Sequence, residues 1–222
     1  LVADASDYIS DHGDACEVYP ITTNPENQLL TDRGVITSAC GITWYQGGLF
    51  PDSFNNITLV AEPTSNMIHA DRINEKGASF TASRVYEKKE FFASTDAWCR
   101  PVQCYIGPDG ALYVIDYYRK IIEHPEWLGD EAIHSGDLYK GTDKGRIYRI
   151  TPKGTPAMNW CSQLKTGNAS TQQLIQLLSS NNIWWRRLAQ RLLMDKKDPS
   201  AVTLLHQFID TTSYVADILH AL

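Results

Sequence analysis

What the chain lacks narrows its roles first. Nowhere do about 18 apolar residues run together, so no segment is long enough to cross a bilayer as a helix. The N-terminus shows no charged stretch followed by an apolar core of the kind that directs secretion. Its first residue is Leu rather than Met, which reads as a processed chain or a fragment. Cations are not in excess: 20 Lys and Arg face 26 Asp and Glu, for a formal net charge of -6. Phosphate backbones are gripped by clustered Lys and Arg, so nucleic acid is not an expected partner.

Five cysteines (Cys16, Cys40, Cys99, Cys104, Cys161) make no CxxC pair, no CxxCH haem-attachment motif and no Cys/His cluster at zinc spacing. Metal or haem ligation by these thiols is not expected. Cys99 and Cys104 lie on one extended segment, on opposite faces and roughly 17 Å apart, and should not pair. Cys16 and Cys40 are either a bridge or small buried thiols. No GxSxG elbow is present to activate Ser38. The stretch SDHGDACE at Ser10–Glu17 lacks the spacing and terminal Glu of an EF-hand, and reads as a polar loop rather than a calcium site.

With 43% hydrophobic and 21% charged residues, the chain can bury a real core. Two regimes divide it. Up to about residue 155, short apolar bursts alternate with Gly, Pro, Asn and Asp, the pattern of an all-β region. Strands are predicted at Gly41–Tyr45, Ile57–Ala61, Met67–Arg72, Phe80–Val85, Pro101–Ile106, Ala111–Tyr117 and Arg146–Thr151. GPDG at Gly107–Gly110 closes a hairpin, with Pro108 presetting φ and Gly110 free to take positive φ. From Thr171 onward Gly and Pro almost vanish, and four short amphipathic helices are predicted: TQQLIQLLSSN, NIWWRRLAQRLLMDK, DPSAVTLLHQFID and TSYVADILHAL. Residues 156–170 supply the linker. Two stretches, ITWYQGGLFPDSFNNITLVAEP and CRPVQCYIGPDGALYVIDYY, repeat the order strand, turn, strand expected of propeller blades.

Together, TSACGITWYQGGLFP, FFASTDAWCRPVQCYIGPDGALYVIDYYRKIIEHPEW and GTDKGRIYRITPKG resemble a bacterial family known as membrane-bound dehydrogenases. Its members join a glucose/sorbosone dehydrogenase-like β-propeller to HEAT repeats and a c-type haem domain. The resemblance implies a mainly β chain with an α C-terminal part. Residues 1–155 would be the last two to three blades of a six-bladed propeller, and residues 171–222 HEAT-like repeats. It implies a periplasmic or extracellular location and a quinone-dependent sugar or alcohol dehydrogenase, with pyrroloquinoline quinone and calcium bound in the complete protein. Electrons would pass to a haem domain outside this chain. The rival reading is a non-catalytic scaffold that binds carbohydrate or protein.

Arg100 is the first candidate for a functional residue, because soluble quinoprotein sugar dehydrogenases are similar in placing an arginine before a GPDGALY-like hairpin. A guanidinium fork can hold the quinone carboxylates. The competing reading is a structural arginine paired with Asp96 or Asp116. Asp116 interrupts a buried strand and must be paired or hydrogen-bonded; it can orient Arg100 or Arg119, or serve as a base. The long excursion from Arg119 to Lys144 places Glu123, His124 and His134 on a rim, with His124 the weaker catalytic candidate. His69, on a strand, reads as a packed histidine rather than a ligand. Trp184 and Trp185 are adjacent on one helix, so one packs inward while Arg186 and Arg187 cap carbonyls or pair with Asp195 or Asp198.

Overall fold

Strands form where the apolar bursts fall. The computed structural model describes residues 11–13, 16–23, 34–156 and 165–221. Five strands, β1 (Cys40–Trp44), β2 (Ile57–Glu62), β3 (Met67–Lys76), β4 (Ser79–Arg84) and β5 (Phe92–Ala93), make one sheet in the order β1-β2-β3-β4, with β5 also on β3. All pairings are antiparallel. Three more, β6 (Pro101–Ile106), β7 (Leu112–Asp116) and β8 (Arg146–Ile150), make a second sheet in sequence order.

β3 organises the larger sheet. Its first five residues, Met67 to Asp71, are all buried, as expected of a strand covered on both faces. β5 and β4 share its one edge: β5 pairs with Met67 and Ile68, β4 with Asp71 to Lys76. The chain between β4 and β5 leaves that edge, and Glu90 lies on this departure. The turn from β2 to β3 is locked by Asn66 at φ 58. Its amide donates to the carbonyls of Cys99 (2.6 Å) and Ala97 (3.0 Å) and accepts from the Thr22 hydroxyl (2.8 Å).

Gly41 fits a close crossing. At φ +60, a Cβ there would stand 2.6 Å from the Val102 carbonyl oxygen, so only glycine lets β1 run against β6. The adjacent Thr43 hydroxyl donates to the Cys104 carbonyl at 2.9 Å.

After β7 the chain makes its long excursion, with the short helix α1 (Asp130–His134). The neck is closed by main-chain and side-chain bonds. The Lys120 N–H donates to the Lys140 carbonyl at 3.2 Å, and the Arg119 guanidinium to the Gly141 carbonyl at 2.9 Å. Four helices follow: α2 (Thr171–Leu177), α3 (Ile183–Lys196), α4 (Ser200–Thr211) and α5 (Val215–Ala221). Ser170 and Gln173 form a reciprocal capping box at the start of α2. Leu174, Ile175, Leu178, Ala189 and Leu193 form their core, flanked by Leu204, Leu205 and Phe208. Arg186 is buried and donates to the Ser180 carbonyl and to Gln46, while the Trp185 indole donates to the Pro108 carbonyl at 2.9 Å.

By contact, the chain forms two units. One comprises Leu1–Tyr45, Phe54–Tyr105 and Tyr113–Ile150; the other comprises Gln46–Ser53, Ile106–Leu112 and Thr151–Leu222.

The expected partial six-bladed propeller followed by HEAT-like repeats is corrected by this architecture. The described residues form two antiparallel sheets of five and three strands that close no ring, with the helices mostly C-terminal. Short strands set between turn residues specify antiparallel pairing, but closure depends on edges that meet far apart in the chain, which local pattern does not encode. The four C-terminal helices, of 7, 14, 12 and 7 residues, close around one core instead of stacking as equal repeats. The Cys16–Cys40 bridge is also absent: both are free, half-buried thiols, and Cys99 and Cys104 are free and buried. Cys161 lies outside the described residues.

Candidate functional site

Two buried polar centres occupy the unit that carries both sheets. The first surrounds Arg100, which enters β6 and is 1% exposed. All three guanidinium nitrogens donate to backbone carbonyls: Nε to Arg119 at 3.1 Å, Nη1 to Pro63 at 3.0 Å and Nη2 to Lys120 at 2.9 Å. Its main-chain N–H donates to Asp116 Oδ1 at 2.7 Å. That same oxygen accepts from the Tyr118 N–H at 2.9 Å, and Oδ2 accepts from the Tyr148 hydroxyl at 3.1 Å. Burial lowers the Arg100 pKa to about 10, held from falling further by nearby negative groups including Asp116. It remains a cation at neutral pH, spent on loop carbonyls. No free guanidinium fork is left for a quinone carboxylate, and the donor set does not fit that cofactor here.

The other sequence candidates lie apart. Asp96 accepts from the Trp98 N–H at 3.0 Å and lies 3.8 Å from Arg146, not on Arg100. Arg119 stacks over the Tyr117 ring at 4.2 Å. His124 is exposed and caps a short turn by accepting from the Glu126 N–H at 3.4 Å, while His134, also exposed, bonds the Asp130 carbonyl at 2.7 Å. Glu123 is half-buried on the same excursion. The Ser38 hydroxyl meets Thr64 Oγ1 at 2.8 Å, and its N–H donates to the fully buried Glu62 at 2.9 Å. Burial raises the Glu62 pKa, opposed by N–H groups of Ser38, Thr37, Thr64 and Ser65.

The second centre was not read from the sequence. His69 and Asp71 lie two apart on β3 and so share a face, and both are buried. His12, 3% exposed, comes to them from the N-terminal segment. The Nε2 atoms of His12 and His69 are 2.9 Å apart, and Asp71 Oδ1 lies 3.1 Å from the first and 3.2 Å from the second. Each ring is oriented from behind: His12 Nδ1 meets Asp11 Oδ1 at 2.7 Å, and His69 Nδ1 meets Glu90 Oε2 at 2.7 Å. Burial works to lower the His69 pKa, but hydrogen bonds to Asp71 and Glu90 outweigh it and hold it at about 9. Arg84, the cross-strand partner of Asp71, donates its main-chain N–H to Asp11 at 2.8 Å and lies 3.8 Å from Glu90. Two imidazoles and a carboxylate converging on one point are a donor set able to hold a divalent cation. The signal that could have found it is the His-x-Asp pair on a strand, joined to a second His-bearing loop.

Residues 1–154 match the DUF7133 family, a domain of unknown function, and the chain belongs to that family. No curated protein and no solved structure matches it. Among the described residues, no helix is long and apolar enough to cross a membrane.

Proposed function

We propose that this domain is a non-catalytic scaffold within a larger exported protein, and that it binds a polypeptide partner on the outer face of the three-stranded sheet. The observation that carries this reading is the alternation along β6 and β7. Cys104, Ile106, Val114 and Asp116 are buried, while Tyr105 (60%), Ile115 (39%) and Tyr117 (48%) stand in solvent beside Ile147 (69%) of β8. Exposed apolar patches of this kind mark interaction surfaces, and tyrosine and arginine are favoured as anchors in them. Arg119, stacked on Tyr117, adds the arginine. The commitment of Arg100 to loop carbonyls supports the same reading, because it removes the group expected to hold a quinone.

A photo-crosslinking side chain placed at Tyr105 in the complete parent protein tests it. The expected result is a discrete adduct to one polypeptide in the native host, absent when the label sits at Phe80 on β4. Equal labelling from both positions overturns the reading. So does stoichiometric binding of pyrroloquinoline quinone with calcium that Arg100→Ala abolishes, which would restore the dehydrogenase implied by the resemblance.

A further inference from the structure

We propose that His12, His69 and Asp71 form a binding site for one divalent transition-metal ion, zinc by the chemistry of the donors, which fastens the segment around His12 to the five-stranded sheet. The three converging atoms are 2.9, 3.1 and 3.2 Å apart. A triangle of that size has its centre roughly 1.8 Å from each corner, so an ion about 1 Å out of its plane sits about 2.1 Å from all three, the distance zinc keeps to imidazole nitrogen and carboxylate oxygen. The spacing of the ligands therefore suits the ion without rearrangement.

The surroundings are those of a metal site and not of a packed polar core. Each histidine turns Nδ1 to a carboxylate, Asp11 or Glu90, and points Nε2 inward. Such partners fix the ring and raise the basicity of the ligating nitrogen. The two Nε2 atoms face each other at 2.9 Å, close enough for one ion beside them to take a lone pair from each. Charge agrees: with both imidazoles neutral as ligands, Asp11, Asp71 and Glu90 carry three negative charges against the one positive charge of Arg84, and a divalent ion balances the difference.

The ion would join distant parts of the chain. His12 belongs to a segment also held by the Glu17↔Val35 bridge, by the Tyr19 N–H donating to Glu90, and by Arg84, whose main-chain N–H meets Asp11 and whose guanidinium meets the Glu17 carbonyl. His69 and Asp71 belong to the central strand β3, and Glu90 to the departure between β4 and β5.

The test uses the whole, tag-free chain, stripped with a chelator and titrated with zinc and with cobalt(II), whose visible bands report coordination. One equivalent of zinc is expected, together with the intense cobalt bands of a four- or five-coordinate site that zinc bleaches. His12→Gln, on the peripheral segment, should weaken binding on the order of 100-fold with the far-ultraviolet circular dichroism unchanged, and Glu90→Gln about 10- to 100-fold. His206→Gln, an exposed histidine on α4, should change nothing. A folded wild type that takes up no cobalt overturns the proposal. So does cobalt binding of undiminished strength in both His12→Gln and Asp71→Asn.

Discussion

Arg100, just before β6, and His69, on β3, are both buried in the same unit, and they use their polar atoms in opposite ways. Arg100 turns to the main chain, answering the carbonyls of Pro63, Arg119 and Lys120. His69 turns to other side chains, meeting His12, Asp71 and Glu90. The first arrangement is turned inward: each guanidinium nitrogen already meets a main-chain oxygen, and no pair of donors faces a common ligand. The second converges three donor atoms on one point and supports them from behind. Burial and charge alone do not separate structural from functional polar groups; the direction of the donors does.

Removing the Arg100 side chain should give the largest effect on stability. Arg100→Ala leaves three carbonyls, that of buried Pro63 and those of half-buried Arg119 and Lys120, without their cation, and the loss of several charge-assisted bonds is expected to cost roughly 3 kcal/mol or more, read as a lowered urea midpoint. The cost should be the same with or without chelator, because the two centres share no hydrogen-bond partner. A chelator-dependent cost would break the separation drawn between them.

Next comes the metal itself. Zinc free at about 100 times its dissociation constant should stabilise the wild type by about 2.7 kcal/mol, seen as a raised melting temperature that His12→Gln loses. Smallest is Asp116→Asn, at about 1 kcal/mol. An asparagine oxygen can still accept from the Arg100 and Tyr118 N–H groups, and only the charge and the acceptor for Tyr148 are lost. A much larger loss in denaturant would show that Asp116 acts through its charge.

The strands were legible because each is a local pattern of apolar bursts between turns. All seven predicted segments overlap an observed strand, and β5 was missed because two residues carry no alternation. The helix-start signals in the sequence fall near the observed starts: Asn182 caps α3, whereas Ser170 rather than Thr171 caps α2, Pro199 rather than Asp198 stands at the N-cap of α4, and α5 begins at Val215, past Thr211–Thr212. Ring closure was not legible, since it is decided by strand edges and not by strands. Nor was the histidine centre. His12 and His69 are separated by 57 residues, and nothing in the local spacing of Ser10–Glu17 marks His12 as a ligand. His69 read alone was a packed histidine; read with Asp71 on the same strand face it was half of a donor set.

The closed neck at Arg119–Lys120 and Lys140–Gly141 has a consequence for tolerance to change. Main-chain and guanidinium bonds hold the two ends together, and beyond the buried Ile121 and Leu128 the excursion is exposed from Gly129 to Gly136 apart from half-buried Ala132. Doubling such a loop adds only about 0.6 kcal/mol of closure entropy. Foreign peptides grafted between Gly129 and Gly136, where the excursion is exposed, should leave β7 and β8 paired, making this stretch the natural place to lodge an epitope or reporter.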